Sequence, residues 1–499
     1  MKLELIGHDE KYAVEQSLLT LFPDERPVYG PVTDEDASAA RITLTEDADS
    51  VCVTTELRCG GKAAADCYSY PLSGTDYEKE GQRRHALGLS FFRAAKEVLG
   101  VTPAWGSLTG VRPSKVAVSL LREGKAPAAV LTELEEVYSV TPQRARLALE
   151  AAETGLRVQN DLKPNDISLY VGIPFCPTRC SYCSFVSRTV GDKATRALVQ
   201  PYVDKLCAEL TAIRETADRC GLHIRTFYIG GGTPTSLSAA QLEQLMSHIA
   251  KTFDLAKLDE YTVEAGRPDC TDAEKLRIIK KYGATRISIN PQTFSDQVLQ
   301  NIGRRHTAQD IIDCFAAARA AGHKNINMDL IAGLPGDTVE GFEASLRQAI
   351  ALDPENITVH TLTLKRASNI VVEHRAADYA DVAAMLGKCS LLADAGYRPY
   401  YMYRQKGTLQ NLENIGWAKP GFECLYNIYI MEEVHTILSA GAGGSTKLVI
   451  PGQRRGKIER IFNFKYPTEY IDRFAELLDR KKAVEDFYAR YTSQTLRQP

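Results

Sequence analysis

The chain has no surplus of either charge. Across 499 residues, 60 Lys and Arg stand against 63 Asp and Glu, a net charge of -3 at neutral pH. That balance argues against general nucleic-acid binding, which draws on an excess of cations. No uninterrupted apolar run approaches the roughly 20 residues of a membrane-spanning helix. The opening Met1-Lys-Leu-Glu-Leu-Ile-Gly7 reads as a first strand rather than a secretory signal, so the expected compartment is the cytoplasm. Twelve cysteines, mostly scattered singly and without secretory context, do not make a disulfide framework. The apolar share of 44% and charged share of 25% are those of a globular chain with core enough for two to four domains.

One stretch breaks the scatter. In Tyr170-Val-Gly-Ile-Pro-Phe-Cys176-Pro-Thr-Arg-Cys180-Ser-Tyr-Cys183, three cysteines fall within eight residues at Cys-x3-Cys-x2-Cys spacing, directly after a β-branched run. A loop this tight can turn three soft thiolates toward one metal site. Inert buried thiols would give the same residues, and so would half a zinc site completed by a distant Cys or His. We take the number three as the informative feature. A structural zinc takes four protein ligands, whereas an iron–sulfur cluster on three cysteines keeps one iron open to a further ligand.

Around this stretch the chain divides by pattern. Residues 1–103 alternate strand signals (2–6, 41–45, 51–57) with helical spacing (11–22, 82–99), a small α+β domain in which Cys52, Cys59 and Cys67 read as core or surface thiols. Residues 104–164 open on a Gly/Pro-rich connector and continue as helices. In residues 165–385, apolar runs at 168–173, 226–229, 261–263, 286–289, 325–331 and 357–364 alternate with helical stretches about 30 residues apart, as expected for six βαβ-type units. Residues 386–499 form a closing region. The predicted class is α/β, a partial (β/α)6 barrel between an N-terminal α+β and helical region and that closing region.

In parallel α/β barrels the chemistry sits where strands end. The first run enters the cysteine loop, and the second ends in Gly230-Gly231-Gly232-Thr233-Pro-Thr235, where backbone can approach a ligand or simply turn. The third ends at Glu264, the fourth at Asn290-Pro-Gln292, and the fifth carries Asp329, with Arg304 and Arg305 in a following loop. A charge inside an apolar strand needs a partner. Four successive polar strand ends point to a ligand site.

The cysteine spacing with Tyr182 before the third cysteine resembles the radical S-adenosylmethionine (SAM) superfamily. Together with Tyr170–Phe175 and Gly230–Thr235, it is similar to the oxygen-independent coproporphyrinogen III oxidase-like branch. The segments Tyr403-Arg-Gln-Lys406, Asn411-Leu-Glu-Asn414 and Ala418-Lys-Pro-Gly-Phe-Glu-Cys424 resemble that branch's coproporphyrinogen dehydrogenase subgroup. The resemblance implies a 4Fe-4S cluster on Cys176, Cys180 and Cys183, with SAM on its open iron and a second SAM beside it. Tyr170, Gly231 and Glu264 match positions near the first SAM, with Glu264 expected on its ribose and Thr363 also nearby. Tyr182, Gly232, Thr233, Gln292, Arg304 and Asp329 match positions around the second.

The implied activity is an oxidoreductase of the radical SAM type in haem biosynthesis. It would convert coproporphyrinogen III to protoporphyrinogen IX through one-electron cleavage of SAM and hydrogen abstraction from the propionates. The implied partners are the tetrapyrrole substrate and a flavodoxin or ferredoxin as electron donor. Cationic candidates for the substrate carboxylates are Arg305, Lys365, Arg366, Arg404, Lys406 and Lys447, with His306 and His360 possible neighbours. The sequence departs from the oxidases at Phe185, where they carry a fourth cysteine. It departs from the related haem chaperones at Tyr426-Asn427, where they carry His-Asn. A haem-delivery protein and a radical methyltransferase or haem-opening enzyme are therefore the alternative readings.

Overall fold

The computed structural model describes residues 1–110, 112–185, 187–365, 368, 381–405, 408–452 and 458–495. The chain divides into two compact units, residues 1–149 and 150–499.

The first unit is built on a five-stranded sheet: β1 (Lys2–Ile6), β2 (Val28–Tyr29), β3 (Ala39–Glu46), β4 (Ser50–Cys59) and β5 (Lys62–Pro71), in the order β2-β1-β3-β4-β5. Helices Lys11–Leu21 and Asp76–Leu99 supply the other layer, and Val14, Leu18, Phe91 and Phe92 pack with Ile42, Val51 and Val53 in its core. β2 and β5 were not among the predicted strands. β5 is rich in alanine, a poor strand former in isolation, but the Gly60-Gly61 turn folds it back along all of β4.

The second unit holds an eleven-stranded sheet. At its centre lie β6 (Asp166–Ile173), β9 (His223–Gly231), β10 (Glu260–Glu264), β11 (Arg286–Ser288), β12 (Ile326–Ala332) and β13 (Asn356–Thr361), parallel and in sequence order as expected for successive βα units. These strands are buried along nearly their whole length, because helices such as Lys193–Arg219, Ala239–Thr252 and Val339–Ala351 join them. β7 (Phe175–Cys176) and β8 (Arg188–Thr189) form a separate pair. Beyond β13 come antiparallel β15 (Asn414–Ala418) and β14 (Arg398–Tyr403). On the β6 side come β16 (Ile437–Ala440), β17 (Ser445–Leu448) and β18 (Glu459–Phe462).

Fully buried Glu209 ties the C-terminal segment to the helix 193–219. It accepts from the Gly441 N–H and Asn463 Nδ2, both at 2.8 Å, and from the Tyr470 hydroxyl, and it pairs with Lys481 at 2.8 Å. A buried carboxylate with this many donors is satisfied rather than stranded. No helix among the described residues is long and apolar enough to cross a membrane.

Candidate active site

The cysteine loop is pinned at its base. β7 and β8 pair Phe175 with Arg188 and Cys176 with Thr189, closing the loop into a compact lobe. Inside it the Cys183 N–H donates to the Cys180 carbonyl at 3.1 Å, and the Ser181 N–H reaches the Ile302 carbonyl at 3.0 Å. The glycine run at the end of β9 packs against this lobe. A Cβ on Gly232 would meet the Phe175 carbonyl oxygen at 2.5 Å and the Cys176 sulfur at 3.0 Å. The absence of a side chain therefore serves close approach to the cysteine segment. Next in the chain, the Thr233 hydroxyl donates to Cys176 Sγ at 3.6 Å.

The strand ends bring the other anticipated groups to the same place. Glu264 closes β10 and accepts from the Tyr228 hydroxyl at 2.7 Å. Burial pushes its carboxyl up to about 7. Gln292 adopts φ 70°, a left-handed backbone uncommon for a side chain with Cβ, held by the N–H of Gln292 on the Asp329 carbonyl and the N–H of Ile331 on the Gln292 carbonyl. Asp329 behaves oppositely to Glu264. Burial would raise it, but His360 at 3.7 Å and the Asn327 amide at 2.7 Å outweigh that and hold it below the ordinary range. Buried Arg304 donates to the Asn290 carbonyl at 2.6 Å and to the Tyr182 hydroxyl at 3.2 Å.

All twelve of these anticipated residues line one cavity of about 630 Å³: Tyr170, Cys176, Cys180, Tyr182, Cys183, Gly231, Gly232, Thr233, Glu264, Gln292, Arg304 and Asp329. Thr363, Lys365, Lys447, His360 and Phe185 line it too. Arg305 and His306 line a second cavity of about 520 Å³ instead. Arg404 is buried apart from both, its guanidinium on the Asn411 carbonyl at 3.4 Å, while Arg366 and Lys406 lie outside the described residues.

Several lining residues were not anticipated as site residues from sequence, Tyr426 having been noted only as a departure from the haem chaperones. Tyr228 and Tyr426 stack with each other at 4.6 Å and with Tyr170 at 6.1 and 6.2 Å, forming an aromatic wall. Arg286 lies fully buried, with Nε and one Nη lacking a hydrogen-bond partner among the described residues. Arg267 touches Cys180. Both arginines carry the signal that marked Asp329: Arg286 is a charge in an apolar strand, and Arg267 follows the end of one.

The donor set fits an iron–sulfur cluster. Burial raises the Cys176 thiol and pushes Cys183 up to about 11, so thiolates here call for compensating positive charge. Iron would supply that charge, and buried Arg267 and Arg304 add to it. Among the described residues no set of three or more His, Cys, Asp or Glu could share a single metal ion. Three motif sulfurs bordering one cavity are the ligand set of a cluster held by three cysteines.

The comparisons agree. A model of the radical SAM superfamily matches residues 170–349. An oxygen-independent coproporphyrinogen-III oxidase-like protein, HemZ, of Bacillus subtilis is 35% identical over 503 residues, 99% of each chain. The heme chaperone HemW of the same organism is 33% identical over 317 residues, 62% of this chain and 76% of HemW. Among solved structures, coproporphyrinogen III oxidase HemN from Escherichia coli, a radical SAM enzyme, shares the fold with a TM-score of 0.50 at 23% identity, over 64% of this chain and 72% of HemN. A 35% match over 99% of the chain and a cavity bordered by the three motif cysteines leave one assignment: the chain belongs to the radical SAM superfamily, with its 4Fe-4S cluster and S-adenosylmethionine, among the oxygen-independent coproporphyrinogen-III oxidase-like proteins.

Proposed function

We propose that this chain oxidatively decarboxylates two propionate side chains of coproporphyrinogen III to vinyl groups, giving protoporphyrinogen IX. The observation that carries this reading is the convergence of the three thiols and the nine other anticipated residues on one cavity, which also receives two lysines and a tyrosine wall. When bound, the cluster and SAM supply an adenosyl radical able to take hydrogen from an unactivated carbon.

The chain's own groups then have distinct tasks. Cys176, Cys180 and Cys183 hold the cluster. Glu264 and Asp329 are acceptors suited to sugar hydroxyls, and their opposite environments keep one carboxyl easily protonated and the other ionised. Tyr170, Tyr228 and Tyr426 offer aromatic faces and exclude water from the reacting carbon. Lys365 and Lys447 are cations for substrate carboxylates, and Lys365 is partly desolvated, which strengthens such a pair.

A second reading, haem delivery, is favoured by two observations. Phe185 is 63% exposed at the cavity's border, where the oxidases carry cysteine, and the likeness to HemW covers 76% of that chaperone. The deciding experiment is an anaerobic incubation with reductant, SAM and coproporphyrinogen III, read by mass spectrometry. Loss of two carboxyl groups from the tetrapyrrole is the expected result. Stoichiometric haem capture without SAM turnover would overturn the decarboxylase in favour of delivery.

A further inference from the structure

Cys180 sits at the centre of the motif and is 7% exposed. Its sulfur lies 3.5 Å from Nη1 of Arg267, a residue 3% exposed in the loop after β10. The guanidinium is tightly fixed. Its Nε and Nη2 form a fork on Asp269 at 2.9 and 2.8 Å, and Nη2 also donates to the Thr178 hydroxyl at 2.8 Å. His306 stands 3.7 Å from the same carboxylate, beyond hydrogen-bond distance. Arg304, the second buried guanidinium bordering the same loop, donates to the Asn290 carbonyl and the Tyr182 hydroxyl.

Loop fixation alone does not explain this arrangement. The Asp269 fork and the Nη2 contact to the Thr178 hydroxyl already secure the loop, whereas Nη1 is shared between the Thr178 carbonyl and the Cys180 sulfur, both at 3.5 Å. Asp269 balances the Arg267 charge, and Arg304 brings a second buried cation near the same sulfur, which negative charge on that sulfur would offset. A cluster on three thiolates becomes more negative on reduction. A donor and a positive charge at one ligating sulfur therefore stabilise the reduced form more than the oxidised one.

We infer that Arg267 is a positioning residue that sets the reduction potential of the cluster, raising it through its N–H on the Cys180 sulfur, with Asp269 orienting the guanidinium. The inference rests on the family's cluster and not on the substrate proposed above. It gives this chain's cysteine loop a built-in aid to accepting the electron that starts each turnover.

The test is a potentiometric titration, followed by electron paramagnetic resonance, of anaerobically reconstituted full-length protein. Arg267→Met is expected to keep its iron content and shift the midpoint negative. At a fixed poise the reduced-to-oxidised ratio should fall about tenfold, which is about 59 mV for a one-electron couple. Arg267→Lys keeps the charge but not the planar fork, and Asp269→Asn loosens the fork; both should shift the midpoint by less. Should Arg267→Met fail to fold, these two variants carry the test. Equal midpoints at equal iron content overturn the inference, as does iron loss in all three variants, which would make the residue a retainer of the cluster. A purely structural clamp would lower the melting temperature and leave the midpoint in place. Wild-type protein that takes up no iron would instead sink the cofactor assignment.

Discussion

Each unit of the molecule has a trio of cysteines close in sequence, and only one trio has the surroundings of a site. In the first unit Cys52, Cys59 and Cys67 lie on the hairpin of β4 and β5. Cys52 and Cys67 bring their sulfurs within 3.5 Å, while Cys59 faces the Ser38 hydroxyl at 3.7 Å. Strand pitch and pairing set those separations: Cys52 and Cys67 share one face of the hairpin, and Cys59 points to the other, against the core. In the second unit the thiols border a cavity, with glycines packed against their loop and two buried guanidinium groups alongside. Short sulfur–sulfur distance is thus a poor mark of a metal site. Convergent positive charge and close backbone approach mark it better.

The sharpest way to break this contrast is to remove sulfur from each trio. Cys180→Ala should take iron content and 5′-deoxyadenosine formation to background. A triple replacement of Cys52, Cys59 and Cys67 by Ser should leave both within error of wild type. Iron loss from the triple variant would erase the distinction. Next in size is Gly232→Ala, where the added methyl collides with the Phe175 carbonyl and the Cys176 sulfur. We expect it to lose most cluster loading, measured as iron per chain, because the obstacle is backbone and a ligand rather than a pliant side chain.

The same contrast separates what was legible in the sequence from what was not. The six parallel strands and their order follow from apolar runs at regular spacing, because buried parallel strands leave that trace directly. Of the residues that meet in the cavity, Glu264, Gln292 and Asp329 were readable as polar interruptions of apolar runs and the cysteines by their spacing, while Tyr170, Tyr182 and Arg304 came from the family resemblance. Arg267 and Arg286 were equally visible as charges, yet nothing local says that one donates to sulfur and the other faces a cavity, since both facts depend on neighbouring strands and loops. β5 went unread because its alanines carry no strand signal and its order comes from pairing with β4. Of the six cationic candidates, Lys365 and Lys447 reach the cavity whereas Arg305 and Arg404 do not, which sequence spacing in loops could not decide.

A third prediction uses titration, in protein stripped of cofactor. His85 in the first unit is lowered by burial to about 4, and Glu264 in the second is raised by burial to about 7. Below its unfolded value, His85 leaves the unfolded chain binding more protons, so its stabilisation fades as pH falls from about 6.5 to 4. Glu264 has the opposite sign. The folded state holds the extra proton, so the stability it contributes is present below about 4.5 and lost as pH rises through about 7. Each is worth on the order of 3 kcal/mol at most. Pairing pH-dependent unfolding of Glu264→Gln and His85→Gln with wild type should show difference slopes of opposite sign; slopes of the same sign would refute the assignment.

The smallest effect is expected at the glycine counterpart in the first unit. Gly60 turns the hairpin with φ 60°, and a Cβ there would meet nothing within 4 Å. Gly60→Ala therefore costs only the left-handed backbone penalty, about 1 kcal/mol in unfolding free energy. Because that turn sits beside Cys59, the variant also tests the first trio: iron content should not change. A cost of several kcal/mol, or any loss of iron, would show that this hairpin is more than a scaffold. The gap between Gly60 and Gly232 would then no longer separate a glycine kept for its turn from one kept for the sulfur beside it.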